Sequence, residues 1–267
     1  MVASKPLDVR KSIDAAMGRR VVLSVCLVGL LLAAVPGAQT RGSRNDEDAF
    51  GNVEYDGQFT FTRIRYGSGG GWGFRGNSSW AHDYPRADRH LPLIVKEITT
   101  VDARVDASNV YDLDDPEIFQ FPLIYISEPG FWSMTDAEAE GFREYLLKGG
   151  FAIFDDFEHE QWRNFEAQMR RVLPEHRPIE IDVTHPIFDS FFAIKKLDIP
   201  HPLVRVMPSY LAIFDDNRPT GRMMAMINYN NDLAEYWEWS ATGMFSVDLT
   251  NDAYKFGVNY VIYAMTH

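Results

Sequence analysis

The chain has 267 residues, 46% of them hydrophobic and 13% aromatic, which is enough apolar side chain for a substantial core in one large domain or two small ones. Its 38 acidic residues outnumber 26 basic ones, for a net charge of −12. Such a surface repels phosphate backbones and anionic headgroups, so nucleic acid is not an expected partner.

At the N-terminus, Arg19-Arg20 precede an uncharged run from Val21 to Val35, followed by Pro36-Gly37-Ala38. Charged, apolar and small residues in that order predict a secretory signal over residues 1–38, with Met17 as an alternative start. The apolar run is shorter than the roughly 20 residues a spanning helix needs, so no stable membrane span is expected after cleavage. A retained anchor is the alternative. The expected location is therefore periplasmic or extracellular. Cys26, the one cysteine, lies inside this run, so the processed chain would have no thiol for a disulfide, a nucleophile or a metal. Residues 39–267 carry 21 basic and 36 acidic residues, a net of −15.

Residues 39–57 are polar without a sustained period and read as a linker, leaving 58–267 as a single α/β domain. Gln58 to Tyr66 alternates as a first strand, and Gly67 to Gly76 forms a glycine loop. A helix is predicted over Ala87 to Thr99, entered through Asp83-Tyr84-Pro85 and buried through Leu91, Leu93, Ile94, Val95 and Ile98. A short strand is expected near Ala103 to Val105. The central unit runs from Phe121 to Glu160. Two apolar runs, 121–126 and 151–154, read as buried parallel strands. Between them lies a helix with a capping-box spacing at Thr135 and Glu138, stopped by Gly149-Gly150. This is a right-handed βαβ crossover, and its second strand delivers Asp155, Asp156, Glu158, His159 and Glu160 to the carboxyl edge, where open α/β sheets place ligands. A helix over Trp162 to Val172, a strand over 178–182 and a turn at 184–188 follow. Residues 210–214 and 222–228 read as a β-hairpin, and 252–266 as a closing helix.

The acid burst is the strongest chemical candidate. Asp155, Asp156 and Glu158 with His159 could share general acid and base duty or bind a divalent ion. Adjacent strand residues point to opposite faces, however, and Glu158 and Glu160 also suit the first turn of the next helix. No metal or cofactor is assigned on this evidence. Trp72 and Trp80 in and after the glycine loop are candidate ligand-stacking faces, with packing as the alternative. The loop's Gly71-Trp-Gly73-Phe-Arg-Gly76 follows its strand too late to be a dinucleotide fingerprint. His185, which equally suits capping or packing, and Asn231 and Asp232, which equally suit a turn, are further ligand candidates.

Arg65-Tyr66-Gly67, Asp83-Tyr84-Pro85, Leu113-Asp-Asp-Pro116, residues 146–156 (LLKGGFAIFDD), His185-Pro-Ile-Phe188, Asn231-Asp232 and residues 257–266 occur in an order that resembles a bacterial family, domain of unknown function 4159. The resemblance covers nearly all of the chain from Gln58 onward. It implies a relation to the class I glutamine amidotransferase-like fold: a flavodoxin-like three-layer sandwich with a mainly parallel sheet, here with a C-terminal β-hairpin and closing helix. Amidotransferases carry a Cys on the strand-to-helix turn where this chain has Asp155-Asp156, so glutamine hydrolysis by that route is not expected. Two readings follow. One is a non-catalytic module of the cell envelope that binds a protein or a polar small ligand. The other is an exported hydrolase, carbohydrate-directed or metal-dependent, using the acidic cluster.

Overall fold

A pattern of buried runs separated by capped helices gives a seven-stranded sheet with order β3-β1-β4-β6-β9-β8-β7. The computed structural model describes residues 51–68 and 79–267. The expected signal segment, most of the linker and Trp72 lie outside them. The strands are β1 (Thr62–Ile64), β3 (Asn109–Tyr111), β4 (Leu123–Ser127), β6 (Phe151–Phe157), β7 (Ile179–Glu180), β8 (Ser209–Phe214) and β9 (Met223–Tyr229). β2 (Gly67–Ser68) and β5 (Trp132–Ser133) form a separate antiparallel pair. Helices are α1 (Arg86–Ile98), α2 (Asp136–Leu147), α3 (Trp162–Val172), α4 (Leu233–Glu238) and α5 (Val247–Thr266). β1, β3, β4, β6 and β9 pair in parallel, and the β8–β9 hairpin extends the same sheet with an antiparallel step. The architecture is a three-layer α/β sandwich, and β3-β1-β4-β6 has the 2-1-3-4 order of flavodoxin-like sheets.

Burial on both faces explains why β6 has no polar side. Ala152 and Phe154 join the core under α2 and α3, with Trp132, Phe142 and Phe165. Trp132 and Phe165 meet Phe154 at ring centroids of 5.4 and 4.9 Å. Ile153 and Asp155 alternate to the other face, where α1 packs with α4 and α5. The capping box of α2 forms as its spacing predicts, with Glu138 N donating to Thr135 Oγ1 and Thr135 N to Glu138 Oε2. Gly149 ends that helix at φ 114°, a conformation without steric penalty only for glycine. Gly141 lets α2 approach the loop before it, since a Cβ there would lie 2.5 Å from the Leu113 carbonyl oxygen.

Several expectations change. Ala103 makes only an isolated bridge to Phe59, and the second strand lies later, at β3, where Val110 and Tyr111 supply β-forming residues. On α1, Leu93 and Ile98 are only half-buried, whereas Asp88 is buried because it pairs with Arg63. The 231–238 stretch is a capped helix, α4, rather than a turn alone: Asp232 Oδ1 accepts from Glu235 N. The last helix begins five residues early, at Val247, because Ser246 caps it.

Candidate acidic site at the carboxyl edge of the sheet

Five carboxyl groups surround one imidazole at the carboxyl edge of the sheet, the edge at which open α/β sheets bind ligands. His82 and Asp83 come from the turn entering α1, Glu128 follows β4, Asp156 lies in β6, and Asp232 and Glu235 belong to α4. His82 Nδ1 stands 2.5 Å from Asp156 Oδ2, 3.5 Å from Glu128 Oε1 and 4.0 Å from Asp83 Oδ2. His82, Asp156 and Asp232 each offer a ligand atom within 4.8 Å of the others, as do His82, Asp83 and Glu235.

Backbone geometry aims these groups. The β6–β9 register shifts between Phe154 and Phe157, and within that bulge Asp156 adopts φ 62°. Its N–H donates to the Asn231 carbonyl, 3.0 Å away. Asp83 (φ 62°) and Glu128 (φ 44°) are left-handed as well. Three non-glycine residues held in this sparsely populated region at one edge mark strain concentrated where ligands bind.

Two buried networks hold the frame. The Arg63 guanidinium, fully buried, binds Asp88 through Nε and Nη2 and donates from Nη1 to the Trp80 and His82 carbonyls at 3.0 Å. It therefore pins the segment that carries His82, and it lies 4.9 Å over the Tyr125 ring. Asp155 accepts four hydrogen bonds: from Tyr125 Oη and Asn228 Nδ2 at 3.0 Å, and from the first amides of α4, Leu233 N at 2.9 Å and Ala234 N at 3.1 Å. Asn228 Oδ1 accepts in turn from Tyr260 Oη. Asp155 is thus a brace for α4, turned away from Asp156 as the strand period requires.

Crowded charge shapes the electrostatics. Burial, then Asp156 and Glu235, push the Asp83 carboxyl well above its usual range, with His82 opposing. Asp232 rises likewise through burial and then Asp156 and Asp83. Burial and then Asp156 raise Glu128 to about 7 and Asp155 to about 7, against the hydrogen bonds Asp155 accepts. Burial opposes the imidazolium of His82, but the bond to Asp156 and the charges of Asp83 and Glu128 outweigh it and raise it to about 11. All of these groups bind protons more tightly folded than unfolded. The carboxyl contribution to stability is full near pH 4 and fades toward pH 7, and that of His82 is full below pH 6.5 and fades toward pH 11. Burial of His90, His185 and His201 acts in the opposite sense through the ordinary histidine range, so in buffer free of divalent ions the melting temperature is expected to fall from pH 7 to pH 9, where those three no longer titrate. A flat or rising profile across that range would contradict the placement of these groups.

Of the residues singled out from the sequence, the structure brings Asp156 and Asp232 together. Glu158 lies beside them, with Oε2 3.8 Å from His201 Nε2. The His159 side chain is exposed, while its backbone bonds to Asn230 and Tyr229, so it does not join the cluster. Trp80 is half-buried against the core and Tyr84. His185 caps the short 186–189 turn through Nδ1 and packs by Phe214 and Tyr263 at the opposite edge of the sheet. Asn231 is buried and donates to Tyr210 Oη. His82, Glu128, Glu235, Arg63 and His201 were not anticipated. For Glu128 a signal existed, because it directly follows a predicted parallel strand.

Among the described residues, no helix is long and apolar enough to cross a membrane. No curated protein matches the chain. Residues 60–265 match the model of a family described as Domain of unknown function (DUF4159), and the chain belongs to that family.

Proposed function

We propose that the protein is an exported, non-catalytic binding module of the cell envelope that receives a cationic ligand, or a cationic group of a partner protein, at its acidic edge. The scaffold on this reading is amidotransferase-like, with Asp156 standing in the strained turn where those enzymes carry a cysteine. The observation that carries it is the Asp83 side chain. The residue is 4% exposed, its carboxyl oxygens accept no N–H or hydroxyl hydrogen bond among the described residues, and the cation beside it, the His82 imidazole, stands 4.0 Å away. Its polar neighbours are mostly acids, Glu235 and Glu238 included. A buried acceptor in such company costs free energy unless a cation or proton occupies the space beside it.

The test is thermal denaturation of the purified full chain at pH 7.5 with spermidine, arginine amide or Mn²⁺, each against NaCl of equal ionic strength. At least one cation should raise the melting temperature, and citrate should not. If no cation acts beyond ionic strength, the binding reading fails. The hydrolase reading keeps one observation in its favour: Glu128, raised to about 7, is suited to general acid catalysis. Turnover of a glycoside or ester that Glu128→Gln abolishes would establish it.

A further inference from the structure

We propose that the acidic edge holds one divalent first-row transition ion, such as Mn²⁺ or Zn²⁺, with His82 Nδ1, Asp156 and Asp232 as its protein ligands. This rests on the cation-binding reading above and names the ligand class. The three residues come from three separate carboxyl-edge segments, and their donor atoms lie within 4.8 Å of one another. Ligands around a metal with bonds of about 2.1 Å stand roughly 3.0–3.4 Å apart. The separation of His82 Nδ1 from Asp156 Oδ2, 2.5 Å, and the 4.8 Å limit on the whole set lie on either side of that spacing.

Unused lone pairs point the same way. Asp232 is fully buried, and its Oδ1 is committed to capping α4, which leaves Oδ2 without a partner among the described residues. Asp83, whose oxygens accept no N–H or hydroxyl hydrogen bond among the described residues, gathers with Glu235 around the same imidazole. A proton on Nδ1 bridges His82 to Asp156. A metal takes that place, and the imidazole becomes a neutral ligand. One nitrogen with carboxylate oxygens and no sulfur suits Mn²⁺, Fe²⁺ or Zn²⁺ better than the all-oxygen shell of Ca²⁺. Arg63 would hold the ligand in place through the His82 carbonyl.

A second ion beside Asp156, Glu158 and His201 is disfavoured by tautomer chemistry, although those three also cluster. His201 Nδ1 accepts from Leu203 N and Val204 N, both at 3.2 Å, so its proton resides on Nε2, the atom that faces Glu158. A protonated nitrogen cannot ligate, and His201 is left as a hydrogen-bond donor. The stoichiometry is therefore one.

The experiment uses the full chain stripped with chelator, then dialysed against Mn²⁺, Zn²⁺, Mg²⁺ or Ca²⁺ and analysed for metal content. Spermidine and arginine amide are assayed in parallel by thermal shift. Expected are one equivalent of Mn²⁺ or Zn²⁺, preference over Ca²⁺, and loss of affinity by more than about 100-fold in Asp156→Asn and in Asp232→Asn, beyond the effect typical of outer-shell changes. Glu117→Gln, a remote exposed acid, should bind as the parent does. Both Asn variants are near-isosteric, and circular dichroism checks their folding. The wild-type stoichiometry stands independently of them. Retention of metal by both variants, or no metal bound, overturns the proposal. If an organic cation still stabilises the protein when metals do not, only the metal assignment falls. If nothing binds, the wider reading falls with it.

Discussion

Arg63→Ala is expected to destabilise the fold by about 3–5 kcal/mol, the range for removing one partner of a buried ion pair. That corresponds to a melting temperature roughly 10–15 °C lower for a domain of this size. The cause is threefold. The Asp88 carboxylate stays in a site that excludes water without its counter-charge, the Trp80 and His82 carbonyls lose their donor, and the Tyr125 ring loses the cation above it. Arg63→Lys keeps the charge but not the planar fork, so it should recover only part of the loss. The pair of changes Arg63→Met and Asp88→Leu separates two roles. Replacing both charges by apolar groups should restore most of the stability, yet the His82 segment remains unpinned, so ligand affinity at the acidic edge should stay low. Thermal melts with cation titration on the same four proteins read both quantities. A melting point for Arg63→Ala within about 2 °C of wild type would show that the pair is not buried as described.

For Asp155 the substituent should decide the outcome. Asp155→Ala leaves Tyr125 Oη, Asn228 Nδ2 and the first two amides of α4 without an acceptor. Each unmade buried bond costs about 1–3 kcal/mol, and the four act as one network, so a loss of about 3–5 kcal/mol is expected. Asp155→Asn should cost about 1 kcal/mol or less. Its oxygen can replace Oδ2, which serves three of the four donors, and its amide then faces Asn228. Asn228 can flip, presenting its own oxygen to the new amide and its NH₂ to Tyr260 Oη. The Asn variant also removes a charge beside Asp156. Denaturant unfolding of both variants checks the difference. Equal losses would mean that Asp155 acts through its charge rather than as an acceptor for α4.

The contrast between Asp155 and Asp156 shows how much of the site was legible. Their position at the end of a buried parallel strand follows from the apolar run before them and the Gly149-Gly150 helix stop, and the carboxyl-edge rule then locates a site. Which of the two faces a ligand does not follow. Strand periodicity says only that they diverge. The bulge between Phe154 and Phe157 and the left-handed backbone at Asp156 turn one toward His82, while the amides of α4 engage the other. A bulge depends on the partner strand, and β9 lies about seventy residues further along the chain.

His82 and Arg63 mark the same limit. His82 precedes a motif that reads as a helix entrance, and Arg63 looks like the polar residue of an alternating strand. Burial on both faces of β1 makes Arg63 an interior cation, because α1 brings Asp88 over it. By itself the sequence determined the α/β class, the capped α2 helix, the central crossover and the edge at which the acids gather, since each rests on local periodicity, capping chemistry or chain direction. Tertiary structure alone decided which acids converge on His82 and which are consumed as braces, because those outcomes depend on charges and donors that distant segments bring within a few ångströms.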